Sequence, residues 1–123
     1  MAFITDRKRA LGLGSAKTGT EHFWSMQVSS IGLAILCPIF LFTFGPMLGE
    51  PHADVVAHFA RPFPAIVAAL TIIVGFMHFK NGVQVLIEDY VHGQARKFTL
   101  IGMICLSYAG AATGLFAIAR LAL

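Results

Sequence analysis

Charge is the first thing missing. Asp, Glu, Lys and Arg make up 12% of the 123 residues, about half the roughly 25% of a typical soluble domain. A chain this short has a large surface for its volume, and it lacks the polar side chains to cover a water-soluble core. Repeats and low-complexity tracts are absent too. No cleavable secretory signal is expected: Arg7, Lys8 and Arg9 lead into a Gly/Ser/Thr-rich stretch, not an apolar one. Cys37 follows Leu36, which excludes a lipoprotein signal. No transit peptide is visible, so the expected location is a bacterial cytoplasmic (inner) membrane. Cysteine is limited to Cys37 and Cys105, both inside apolar windows, where buried free thiols are expected. Nucleic acid is excluded as a partner: the net charge of +3 is neither gathered into a groove nor carried by a recognition module.

What the chain has in excess is apolar length. Val28–Met47, Phe63–Ile87 and Phe98–Leu121 each reach the roughly 20 residues that cross a bilayer as a helix. The expected architecture is all-α: one membrane domain over residues 1–123, with a segment at 1–22 and spans at about 23–47, 62–88 and 98–121. Phe23 and Trp24 suit an interfacial aromatic belt, Pro38 is expected to bend the first span, and Gly45-Pro46 ends it. Arg7, Lys8, Arg9 and Lys17 precede the first span, and Arg96 and Lys97 fall in a loop at 88–97. The opposite side has only Arg61 and Arg120. The positive-inside rule then places the N-terminus in the cytoplasm and the C-terminus outside.

The outer loop, about residues 48–62, is expected to be solvated. Its His52, Asp54 and His58 are acceptable metal ligands by type, but nothing in the loop sets their geometry. In the third span, Gly110 and Gly114 are four residues apart, a spacing that lets two helices approach closely.

The unusual stretch is "HFKNGVQVLIEDY", residues 78–90. On a helix with His78 at 0°, Thr71 falls at about 20°, Gly75 at about 60°, Gly82 at about 40°, Val85 at about −20° and Asp89 at about 20°. One stripe therefore carries a histidine flanked by glycines, ending in an acid. The missing side chains leave a flat slot in which a planar ligand can stack. Lys80 lies on another face, from which it can snorkel to the headgroups. Ionisable groups in a span cost roughly 2.5–3.5 kcal/mol on insertion scales and usually mark function. A neutral intramembrane histidine also serves as a simple interhelical hydrogen-bond donor, and the stripe alone leaves both roles open. Imidazole is a common axial ligand of haem iron. His22, His52, His58 and His92 all lie outside the apolar windows, so a second ligand at the depth of His78 would have to come from a partner. Asp89 and Tyr90 are about 17–18 Å along the axis from His78, at 1.5 Å per residue. At that depth a phenol can donate a hydrogen bond to a quinone carbonyl.

His78, Gly82, Asp89 and Tyr90, with the lead "GLGSAKTGTEHFW", resemble the hydrophobic membrane-anchor family of succinate dehydrogenase. The His-to-Asp-Tyr spacing is the most specific part, and length and three-span layout extend the resemblance over nearly the whole chain. It implies a non-catalytic anchor in a complex with a flavoprotein, an iron–sulfur protein and a second membrane anchor. The two anchors would complete one helical bundle and share a b-type haem. By the same resemblance His78 corresponds to the axial ligand of the haem iron. The resemblance likewise implies that His22 lies near the haem propionates, that Tyr90 is the ubiquinone hydrogen-bond donor and that Asp89 is the acid beside it. Gln27 stands where many relatives have an arginine able to pair with a propionate. The activity implied is succinate:ubiquinone oxidoreduction, the tricarboxylic acid cycle's entry to electron transport. The alternatives are the anchor of a quinol:fumarate reductase and a cofactor-free structural or assembly protein.

The charge asymmetry yields a direct test. Reporter fusions after Ala95 and after Leu123 are expected to report a cytoplasmic and an external position, respectively. A cytoplasmic C-terminus would contradict the orientation.

Overall fold

The computed structural model describes residues 5–12 and 20–123, so Lys17 and much of the glycine-rich lead lie outside the described residues. Described residues form helices α1 (Asp6–Leu11), α2 (Glu21–Phe44), α3 (His52–Phe59), α4 (Pro62–Tyr90) and α5 (Gly93–Ala122), with a 3-10 turn at Gly45–Met47 and no strand. Thr5 caps α1 by accepting from the Lys8 amide at 3.3 Å. Among the described residues, three helices are long and apolar enough to cross a membrane: α2 extended to Met47, α4 and α5.

α4 is the middle helix, packing against α2 on one side and α5 on the other. Pro62 begins it, where the fixed φ suits the first turn and the missing N–H costs nothing. It ends at Tyr90, and only Val91 and His92 separate it from α5. Gly93 turns the chain at φ +67°, a conformation that side-chain-bearing residues rarely adopt. The 88–97 loop expected from sequence is therefore far shorter, because α5 extends its helix back through Arg96 and Lys97. The two form an antiparallel hairpin, and near its turn Arg96 and Glu88 lie 3.9 Å apart.

Small residues set the approach of α5. A Cβ at Gly110 would lie 2.6 Å from Cε1 of Phe76, and one at Gly114 would lie 3.2 Å from Ile72. α2 is continuous through Pro38. The outer segment is not the solvated loop the sequence suggests. Residues His52–Phe59 form α3, packed on α5 and α4, with Phe59 only 2% exposed and its ring 6.4 Å from that of Phe44. Eight residues are too few for their periodicity to stand out, and the titratable ones draw the eye first.

Little of each span is covered by the chain itself: 6%, 17% and 11% of the apolar windows of α2, α4 and α5 are buried. The uncovered apolar surface suits lipid, which satisfies outward-facing side chains without a protein core. Cys37 and Cys105 illustrate the difference. Both are free, but they are exposed and not buried as expected, because a surface position in a membrane span is already apolar.

Gly110→Leu is expected to lower the thermal stability of the purified protein by about 1–3 kcal/mol, the usual range for overpacking. Gly110→Ala combined with Phe76→Leu should recover part of the loss of Gly110→Ala alone. Additive losses in a thermal-denaturation cycle would show that Phe76 does not set the helix spacing.

Candidate functional site

Two hydrogen bonds, one helical turn apart, link α2 to α4. Ser29 Oγ lies 3.0 Å from His78 Nδ1, and Asn81 Nδ2 donates to Ser25 Oγ at 2.8 Å. Ser25 and Ser29 are four residues apart on α2, while His78 and Asn81 are three apart on α4, so each pair shares a face of its helix. Ser29 and Asn81 are buried. An amide or hydroxyl left unpartnered in an apolar interior is costly, and both have partners here. Thr71, two turns before His78, turns its hydroxyl onto the Val67 carbonyl at 2.8 Å.

His78 itself is half-buried, and the glycines beside it open space. A Cβ at Gly75 or Gly82 would meet no atom within 4 Å. Gly75 borders a groove of about 500 Å³ with Thr71, Phe40 and Phe79; His78 is not among its lining residues. A second cavity of about 340 Å³ lies where α2, α4 and α5 meet, bordered by Ser25, Lys80, Asn81, Ser107 and Tyr108. Lys80 thus faces this cavity along part of its length.

The other sequence-identified residues are spread out. His22 is in the first turn of α2, two turns or about 10.5 Å before Ser29 and close to the same face. Its Nε2 is buried without a hydrogen-bond partner among the described residues. Gln27 is exposed. Asp89 and Tyr90 are exposed at the end of α4, Tyr90 by 78%. The structure does not gather them with His78; they sit about 18 Å along the same helix. The acid with partners there is Glu88, which accepts from Gln84 Nε2 at 3.0 Å and faces Arg96.

On α3, His52 and Asp54 are exposed while His58 is half-buried. Its ring meets Phe59 edge-on, centroids 5.3 Å apart. Among the described residues no three His, Cys, Asp or Glu side chains come together as a metal site. The sequence reading missed the pairing role of Ser25 and Asn81. The signal was present: two serines four apart in one span, and an asparagine three residues beyond the histidine in another.

A family model described as succinate dehydrogenase/fumarate reductase transmembrane subunit matches residues 1–114. The chain belongs to this family. The whole chain aligns at 42% identity with 95% of the succinate dehydrogenase hydrophobic membrane anchor subunit of Paracoccus denitrificans. The proteins of the same name from Rickettsia conorii and Rickettsia bellii are 30% and 31% identical, over 85% and 80% of this chain and 83% and 79% of their own. No solved structure matches. Family and helices together make the chain a multi-pass membrane anchor subunit of the succinate dehydrogenase/fumarate reductase type.

A haem is expected of such an anchor from the resemblance, and three features of the residues present fit one. His78 is held through Nδ1, leaving Nε2 for a metal. Gly75 and Gly82 leave open space where a Cβ would stand. His22 Nε2, buried with no partner among the described residues, lies toward one end of the same helix pair and can serve as a partner for a carboxylate.

Proposed function

We propose that the chain, as a single membrane domain over residues 1–123, anchors a succinate:ubiquinone oxidoreductase in a bacterial cytoplasmic membrane with its N-terminus inside and C-terminus outside. The observation that carries the reading is His78, a half-buried imidazole in a membrane span, held through one nitrogen and flanked by two glycines beside open space. Its Nε2 would be one axial ligand to a b-type haem, and a second membrane anchor would supply the other. When bound, the haem supplies a one-electron store inside the membrane. His22 would lie toward the propionates, where the uncharged Gln27 contributes no ion pair. The flavoprotein and the iron–sulfur protein would dock on the cytoplasmic side. This chain performs no chemistry on succinate; it binds, orients and seals.

Ubiquinone would be held at the Asp89–Tyr90 end of α4. The exposure of Tyr90 leaves its phenol free to donate to a quinone carbonyl oxygen. That oxygen gains negative charge on reduction, so the hydrogen bond strengthens as the reaction proceeds. Asp89, one residue before it, would orient the phenol or pass a proton from the aqueous edge. The relatives bearing the succinate dehydrogenase name support this direction of reaction over fumarate reduction.

Two outcomes test the reading. His78→Leu complexes are expected to lose the b-haem band from the reduced-minus-oxidised spectrum and the corresponding low-spin electron paramagnetic resonance signal. Persistence of both would remove His78 as the ligand. Tyr90→Phe is expected to slow quinone reduction by about twofold to a hundredfold, from the roughly 0.5–3 kcal/mol that a hydrogen bond to a neutral or charged partner contributes. Dye-coupled succinate oxidation, which bypasses the quinone, should stay near the parent value. Equal quinone reduction by parent and variant at limiting quinone would leave Tyr90 as an interfacial anchor only.

A further inference from the structure

The hydrogen bonds around Ser29 determine which nitrogen of His78 carries the proton. The Ser29 hydroxyl has one hydrogen and three neighbours: the Ser25 carbonyl at 2.8 Å, the Met26 carbonyl at 3.0 Å and His78 Nδ1 at 3.0 Å. The carbonyls can only accept. If the hydroxyl donated to Nδ1, its lone pairs would face two carbonyl oxygens at hydrogen-bond distance, with no proton between. The arrangement that satisfies every group sends the hydroxyl hydrogen to the carbonyls and lets Oγ accept from Nδ1–H. Ser29 is only 3% exposed, so no solvent competes for its oxygen.

We infer that Ser29 is a positioning residue for His78: its hydroxyl, committed to the backbone of its own helix, accepts the Nδ1 proton, sets the tautomer that leaves the Nε2 lone pair free, and turns that lone pair away from α2. The inference rests on the haem reading above. It adds an outer partner on α2 to a ligand on α4, so one hydroxyl, beyond the packing of the two helices, sets the aim and basicity of the ligand. Asn81 and Ser25 hold the same helix pair one turn away without touching the imidazole. They are the internal control for a purely structural role.

An accepting oxygen behind a metal-bound imidazole fixes the ring and raises its basicity, and loss of such a partner typically costs 10–100-fold in metal affinity. A more basic imidazole favours the oxidised, more positively charged iron. Removing the oxygen should therefore weaken the oxidised state more and raise the midpoint potential. A tenfold preferential loss corresponds to about 59 mV for a one-electron couple.

The test uses the assembled complex in four forms: parent, Ser29→Ala, Ser25→Ala and His78→Leu. For each, haem per flavin, the haem midpoint potential and the low-spin electron paramagnetic resonance signal are measured. Ser29→Ala is expected to raise the potential, shift the signal and lower haem content, while Ser25→Ala leaves potential and signal at parent values. Parent-like potential and signal in Ser29→Ala, with the haem lost from His78→Leu, would overturn the positioning role and leave the ligand assignment intact. An equal shift in Ser25→Ala would overturn it too, since both serines would then act only through helix packing. Haem retained unchanged in His78→Leu would overturn the ligand reading, and this inference with it. If Ser29→Ala does not assemble, Ser29→Cys keeps the volume and offers only a weakly accepting sulfur. A raised potential in that variant supports the inference, and a parent potential overturns it.

Discussion

Everything in this molecule depends on how α2 sits against α4. In hydrocarbon there is no hydrophobic force to press two apolar helices together, because lipid tails are as apolar as leucine. Close packing and hydrogen bonds between side chains must hold them. Here two such bonds, Ser29 to His78 and Asn81 to Ser25, lie in one short stretch of the interface. Individually each is modest, since bonds of this kind in membranes average about 0.6 kcal/mol. Their larger effect is on register: sliding α2 along α4 would stretch both pairs, and the buried Asn81 amide would lose its partner.

The other interface of α4 is built from different material. α5 approaches through Gly110 and Gly114, against Phe76 and Ile72, and is held near by a two-residue link. One face of α4 is thus fixed by polar pairing and another by shape. Beside His78 on the polar face run Thr71, Gly75 and Gly82, a stripe which the chain itself leaves partly open. Most of each span's surface is likewise uncovered. A chain with so few buried side chains is suited to a larger assembly, in which lipid and neighbouring proteins complete the surroundings that its own helices do not.

On the proposed reading, function is distributed along α4 by depth. The imidazole is in the apolar region and the acid and phenol at the end, about 18 Å away along the axis. A single helix sets that separation, so the residues proposed for haem and for quinone need no loop or hinge to keep their spacing. Glu88 accepts from Gln84 and lies 3.9 Å from Arg96, while the neighbouring Asp89 and Tyr90 are exposed.

The sequence by itself determined the three spans and the stripe containing His78, because bilayer thickness and the 3.6-residue period are constraints that a single chain must meet locally. It also carried the family, in the spacing of His78, Gly82, Asp89 and Tyr90. Helix ends and partners were beyond it. α3 is held by the burial of Phe59 against the bundle, and α5 starts five residues before its apolar window because the α4–α5 turn is formed by Gly93. Those are tertiary effects. The exposure of Cys37 and Cys105, and the pairing of Ser29 with His78 across 49 residues of chain, likewise depend on which faces meet. Periodicity identifies the face of each helix; which faces meet is decided by where small residues allow close approach and where polar groups must find each other out of water.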